Sequence, residues 1–506
     1  MMKWLSKDVY DMRALRKYLI ILAAFTGLSY VSKGHIFAVL PVFVMAALFR
    51  AKLVDLLFWV MVLSFTGVAN PNVFPKTALT FIIARLSLFA VSIVMMMRVA
   101  GKRNARIVAP FIGIFVYVGW AAIVSAQGWE PMVSYLKLLL FAPIYLALYT
   151  VANEVTASSR VNARAVRSAI LAIVCFVVFG SFALWPFPGI SQLSAKWIED
   201  PAKLAQMIAE GDSLFMGITN QSQALGPMLG VMLSLVFGDL VFSVKRWDAI
   251  YVSLLLIGVF LVFKTSSRTG MGTFAAGVAM VAWLFWRART VGARWKFRVV
   301  STLFWVGIVG TIAFMAIPST RDRIIGFVLK TNANKTNVAM SDVTFENFTS
   351  SRQGLVDIAM ENFKKKPFTG NGFQVSEEMQ YQKRNGLMDY MSAPIEKGVW
   401  PTAILEEGGV PGLVMFAGFL IFTFCTLVRM HAFISAATLW AFTIVNLGEF
   451  NFFSMSYTGG FEWALVYAAV VLDGQRMKNL GMQLWDVPIE VVIDEVGMDE
   501  WMKRRS

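Results

Sequence analysis

Apolar stretches of about 15 to 25 residues recur along almost the whole chain, and each can carry an α-helix across a hydrocarbon core at about 1.5 Å per residue. No soluble core needs that pattern. Hydrophobic residues make up 57% of the chain and the mean hydropathy is +0.63, against roughly 45–50% apolar residues in ordinary globular domains. The excess has to face lipid. The spans fall at 18–32, 36–49, 53–69, 78–97, 107–126, 132–151, 168–186, 222–242, 249–263, 271–286, 300–317, 403–428, 432–447 and 461–472. The expected fold is therefore an all-α integral membrane protein with about fourteen transmembrane helices, the first pair short for a full crossing.

The formal charge of +15 does not read as a nucleic-acid footprint, because the basic residues lie in short loops between apolar spans. Arg98, Lys102, Arg103 and Arg106 mark one loop; Arg160, Arg164 and Arg167 a second; Lys245 and Arg246 a third; Arg287, Arg289, Arg294, Lys296 and Arg298 a fourth. The alternate loops 70–77 and 127–131 hold almost none. Lysine and arginine are retained on the cytoplasmic side, which puts both termini in the cytoplasm of a bacterial inner-membrane protein. The expected organisation is a cytoplasmic segment 1–17 and a helix bundle 18–317 with a smaller outer loop 187–221. A large periplasmic loop 318–400 containing short helices follows, then helices in 401–473 and a cytoplasmic tail 474–506. The first apolar span reads as a retained helix rather than a cleaved signal peptide. Cys175 and Cys425 each sit inside a span and form no disulfide framework. His35 and His431 are too far apart for a histidine-based metal site. No internal repeat divides the spans into matched halves, which argues against a transporter built on repeats.

Two outer segments hold the chemistry. Lys264, Thr265, Ser266, Ser267, Arg268, Thr269 and Gly270 lie between two spans, where short outer loops otherwise avoid basic charge. An arginine there can hold a phosphate in a bidentate pair, with hydroxyls completing the donors. In the large loop, Thr349 and Ser350 offer an N-cap to a helix over 352–365, so Arg352 is expected at a helix start that favours an anion. Pro367 ends that helix, and Thr369, Gly370, Asn371 and Gly372 form a turn. Three carboxylates, Glu396, Glu406 and Glu407, stand at the mouth of the next span; Glu396 is expected to face the loop, with Lys397 beside it. Arg85 and Lys137 are intramembrane cations that suit a substrate path, with Glu449 and Glu462 as possible partners. Trp197, Tyr381, Tyr390 and Trp400 could stack on sugar rings.

In order and spacing these pieces resemble the O-antigen ligase and Wzy-type polymerase superfamily of polysaccharide assembly. The resemblance is carried by Gly217, Ile218, Thr219, Asn220 and Gln221 opening a span, by Ser267, Arg268, Thr269 and Gly270, and by Ser351 and Arg352. Pro367 to Gly372 and the run Leu405, Glu406, Glu407, Gly408, Gly409, Val410, Pro411, Gly412 complete it. It implies a GT-C-like helical fold and inverting, cofactor-free, metal-free glycosyl transfer from an undecaprenyl diphosphate-linked glycan to a glycan acceptor. It also implies lipid contact and chain-length regulator and flippase proteins as partners. Arg268 and Arg352 would stabilise the departing diphosphate; Asn220, Lys264, Arg85, Lys137, Lys397, Trp400 and Glu407 would line the substrate path. Ligases of the family commonly carry a histidine followed by asparagine shortly before the Glu-x-Gly re-entry, where this chain has Gly398 and Val399. That leaves Glu396, and after it Glu407, as the general base, and favours a polymerase of a surface polysaccharide over a ligase. A flippase for lipid-linked glycan is the reading from another class.

Overall fold

A lipid-embedded chain must satisfy its backbone internally, and helices do so within each segment. The computed structural model describes residues 9–36, 44–45, 49, 51–75, 78–99, 105–158, 161–191, 215–243, 248–265, 267–287, 345–375, 398–455 and 458–479, without the side chains of 78–85 and 345–353. Among these the chain is helical, and the pairing of Ala69 with Thr219 is an isolated β-bridge. In chain order the helices are α1 (Met12–Val31), α2 (Leu53–Thr66), α3 (Ala78–Val99), α4 (Ile114–Ser125), α5 (Pro131–Ala157), α6 (Ala163–Leu184) and α7 (Ser222–Phe242). They continue with α8 (Ala249–Lys264), α9 (Arg268–Arg287), α10 (Phe345–Lys365), α11 (Trp400–Arg429), α12 (Phe433–Val445) and α13 (Thr458–Asn479). Six of them, α1, α5, α6, α7, α9 and α11, are long and apolar enough to cross a membrane, and α2, α4, α8 and α12 are shorter apolar helices. The expected spans coincide with helices except at 36–49 and 300–317, which fall almost wholly outside the described residues.

The bundle is built around α7, in which every residue from Ala224 to Val241 is buried. Its contact with α9 is a seam of small residues. A Cβ on Gly270 would lie 2.5 Å from the Gly226 carbonyl carbon, one on Gly230 2.8 Å from Thr273, and one on Gly277 1.9 Å from the Ser234 hydroxyl. Small residues spaced four apart let two backbones touch, the main source of helix attraction where lipid is as apolar as leucine. The paired positions advance together, so α7 and α9 run parallel. Gly238 meets Ile434, Gly277 meets Ala441 and Gly448 meets Thr269, so α12 packs antiparallel to both.

The two ends of the bundle differ chemically. At the end where α7 finishes, Arg167 grips Asp239 with Nε and Nη2 at 2.8 and 2.9 Å and donates from Nη1 to the Val9 carbonyl at 3.0 Å. Tyr251 also donates to Asp239. Asp473 accepts from the Ser435 amide and hydroxyl, both at 2.8 Å, and pairs with Arg476 at 3.3 Å. Arg98 in the last turn of α3, Arg164 in the first turn of α6 and Arg287 in the last turn of α9 lie at this end. Arg268, with the candidate site, lies at the other.

His431 occupies the turn between α11 and α12 with a positive φ of 56°. Burial, then the charges of Arg476 and Arg287, hold its imidazole below the ordinary value of 6.5. The folded protein binds fewer protons there than the unfolded chain, so stability is full above about pH 6.5 and is lost as pH falls toward the depressed value. His431→Asn, which tolerates the left-handed backbone, should flatten that decline in a series of thermal melts between about pH 7.5 and 5. An unchanged slope would remove His431 as its source.

Two local expectations are corrected. The loop helix α10 begins at Phe345, well before the expected start, so Thr349 and Ser350 fall inside it and not at its N-cap position. Arg352 is therefore two turns into the helix, without free backbone donors around it. The proposed partnering of Glu462 with Lys137 is not formed either: Lys137 donates to the Gln374 carbonyl at 2.7 Å, and neither oxygen of Glu462 accepts a hydrogen bond.

Candidate active site

The parallel run of α7 and α9 brings two helix N-termini side by side. Ser267 caps α9: its hydroxyl accepts from the Gly270 amide at 3.1 Å and its carbonyl from the Met271 amide at 3.0 Å. A Cβ on Gly226 would lie 2.3 Å from that of Ser267, and one on Gly448 would lie 2.4 Å from the Thr269 hydroxyl. Ser267, Thr269 and Gly270 of the motif are thus engaged in capping and packing. Arg268, half-buried, is its charged member. At the end of α8 the ammonium of Lys264 sits 5.4 Å from the ring centre of Trp185 and 5.8 Å from that of Phe260, a cation–π arrangement that holds the charge at the rim.

Asn220 stands just before α7 in a stretch tied to the turn after α2. Its amide donates to the Val68 carbonyl at 2.8 Å, and the Asn70 amide to Ile218 at 2.8 Å. The Asn70 side chain donates to Gly217 at 2.6 Å and to Ile190 at 2.9 Å. Asn220, Lys264 and Arg268 thus belong to neighbouring helix ends on one face of the bundle.

A second assembly at this end joins the loop helix to α11. Gly409, at φ 64°, breaks α11, and Pro411 has no amide to offer the Glu407 carbonyl. Both losses are made good by the turn after α10. Asn371 donates to the Glu406 carbonyl at 2.8 Å, Gly372 to the Glu407 carbonyl at 3.0 Å, and Val410 to the Pro367 carbonyl at 2.9 Å. Side chains finish the clamp: Asn362 donates to Glu406 at 2.9 Å, Tyr117 to Glu407 at 3.1 Å and Trp120 to the Gly408 carbonyl at 2.7 Å. The clamp also rests on the turn after α4, where Lys366 donates to Gln127 at 2.9 Å and Phe373 to the Ser125 hydroxyl at 3.0 Å.

Glu407 and Lys137 are buried in this clamp, and Trp400 is half-buried with its ring 5.7 Å from Phe416 and its amide donating to Asn446 at 2.9 Å. The expected carboxylate at 407 is thus a holding group of the loop in this arrangement. The side chains of Arg85 and Arg352, and all of Glu396 and Lys397, lie outside the described residues. The partnership of Asn362 and Tyr117 with the carboxylates, and of Asn371 with the Glu406 carbonyl, was not anticipated. Its signal is the joint presence of a Gly-Gly step and Pro411 inside an apolar span, which announces orphaned carbonyls in need of donors.

Gly370 has φ 66°, and a Cβ there would lie 2.4 Å from the Glu407 carbonyl group. Gly370→Ala should therefore open the clamp at a cost of roughly 2–3 kcal/mol. Faster proteolysis between α10 and α11 would report it, and unchanged cleavage would count against the clamp.

No curated protein matches the chain. A family model described as O-antigen ligase matches residues 253–417, from α8 through α9 and α10 into α11. That stretch contains the Ser267–Gly270 motif, the loop helix and the broken re-entry helix. Among its described residues the chain is helical, with six helices long and apolar enough to cross a membrane, and over residues 253–417 it is similar to the O-antigen ligase family.

Proposed function

We propose that the protein polymerises undecaprenyl diphosphate-linked oligosaccharide repeat units into a surface polysaccharide, by inverting transfer at the periplasmic face of the bacterial inner membrane. The observation that carries this is the placing of Arg268 at the start of α9, beside the start of α7 and near the Lys264 rim. Two helix N-termini and two cations on one face suit a diphosphate that gains charge as it leaves. In the transfer, an acceptor hydroxyl oxygen bonds to the anomeric carbon. The bond from that carbon to the diphosphate breaks, its electron pair stays on the diphosphate, and the hydroxyl proton passes to a base. Arg352 is the second cation of the diphosphate site in this reading, and Glu396 the base expected from sequence.

The gathering of Arg98, Arg164, Arg167 and Arg287 at the Asp239 end supports a cytoplasmic assignment for that end and an outer one for the Arg268 end. With it go cytoplasmic termini, about fourteen spans and a GT-C-like arrangement. Working partners are a flippase that delivers the donor and a chain-length regulator. The matching O-antigen ligase family favours a second reading, transfer of a finished glycan to a separate acceptor.

Purified protein in liposomes, given lipid-linked repeat units alone, decides between them. Lengthened glycan is the expected product. Product only after a separate acceptor is added means ligase, and movement of intact lipid without new bonds means a transporter.

A further inference from the structure

The Asp239 end of the bundle, opposite the candidate active site, carries arginines without a counter-charge. α12 runs antiparallel to α9 in a register set by Gly448 against Thr269 and Ala441 against Gly277. That register brings Arg287, the last residue of α9, level with His431 in the turn before α12. Arg429 ends α11 two residues before His431, within about 7 Å of chain. Both arginines are exposed. The Arg287 guanidinium lies 5.5 Å from the ring centre of Trp283, one turn back, and neither arginine has a carboxylate partner among the described residues.

A third guanidinium is fixed against the same turn. Arg476, near the end of α13, donates to the His431 carbonyl and lies 5.9 and 5.6 Å from the ring centres of Phe242 and Phe433. The Phe242 and Phe285 rings are 6.1 Å apart, so the end of α9 shares this aromatic floor. Asp473 is the carboxylate of the group, and it is already engaged by the Ser435 amide and hydroxyl at 2.8 Å and by Arg476 at 3.3 Å. The Nε proton of Arg476 and the Nδ1 atom of His431 are buried without a hydrogen-bond partner, whereas buried polar groups are nearly always satisfied. The corner thus holds an excess of positive charge and an unused donor.

We propose that this corner, formed by the end of α9, the turn between α11 and α12 and the end of α13, holds the phosphate of an anionic phospholipid from the leaflet at the Asp239 end. Arginine pairs with phosphate oxygens through a planar fork of donors, and basic corners between membrane helices suit anionic headgroups. The surroundings decide for a lipid over a free anion. Trp283 and Trp286 on α9 and Ile421 and Phe422 on α11 are exposed, so apolar side chains lie within two turns of the guanidinia on both helices. A phospholipid sets its phosphate on the arginines and its acyl chains on these residues, with the two tryptophans at the boundary that such rings favour. A zwitterionic lipid fits less well, because its ammonium would face three guanidinia. The site is independent of the glycan reading.

The test follows the melting midpoint of the full chain in a neutral detergent while lipid is added. Phosphatidylglycerol should raise the midpoint saturably, and phosphatidylcholine or inorganic phosphate at the same concentration should not. Arg287→Gln combined with Arg429→Gln should raise the half-saturating concentration of phosphatidylglycerol about tenfold. Its melt without lipid should stay near wild type, because both side chains are exposed. Arg13→Gln combined with Arg16→Gln, which removes two exposed arginines of α1, should leave the lipid response intact. An equal rise with phosphatidylcholine, or no rise with any lipid, overturns the proposal. So does an equal rise with inorganic phosphate, which would mean an anion site without a lipid. An unchanged half-saturation in the Arg287 and Arg429 variant, or the same loss in the α1 variant, overturns it as well, the latter by showing diffuse surface charge.

Discussion

Arg268→Ala should slow glycan transfer about a thousandfold, the loss typical of removing one preorganised donor from a developing anion. The effect should fall on turnover, because the diphosphate gains its charge in the transition state. Folding should be largely spared: Ser267, Thr269 and Gly270 make the cap and the contacts with Gly226 and Gly448, and those remain. Arg268→Lys should recover part of the rate, since an ammonium keeps the charge and loses the planar fork. Arg352→Ala should resemble Arg268→Ala. The checks are a rate in liposomes and the length profile of polysaccharide in cells expressing comparable amounts of inserted protein. A wild-type profile in both alanine variants would sink the diphosphate site.

Arg167→Ala should destabilise the bundle by about 3–5 kcal/mol, the usual cost of stripping one partner from a buried ion pair. Its two-point grip on Asp239 is nearly inaccessible to solvent, with side chains 13% and 2% exposed. Once the guanidinium is gone, Asp239 retains the Tyr251 hydroxyl and no compensating charge from Arg167, while the Val9 carbonyl loses its donor. Asp239→Asn added to Arg167→Ala should restore much of the loss, because it removes the stranded carboxylate. Thermal unfolding in detergent across the four proteins of this cycle measures the coupling. An Arg167→Ala melt equal to wild type would show that the pair does not hold α6 to α7.

The helices were legible in the sequence because length and apolarity are properties of one segment at a time. α7 and α9 lie within about two or three residues of the spans read from hydropathy, and Arg268, read as part of the segment between two spans, begins α9. What was not legible depends on partners distant in the chain. Thr349 and Ser350 read locally as a cap, yet the structure runs α10 through them from Phe345. Glu406 and Glu407 read as carboxylates at a mouth. Only the meeting of Asn371 and Gly372 with their carbonyls, and of Asn362 and Tyr117 with their side chains, shows that they fasten the loop. Glu462 read as a counter-ion for Arg85 or Lys137, yet it is buried with neither oxygen hydrogen-bonded.

The seam between α7 and α9 bears on how tightly the site can be held to shape. Where side chains separate two helices, their spacing drifts with every change of rotamer. Gly226 and Gly270 meet backbone to backbone, so the gap between the two helix starts is gauged by peptide groups that have no rotamers to change. Mutational drift elsewhere in the bundle can reshape its other surfaces, while the spacing of these two helix starts stays set by two residues that have no side chain to vary.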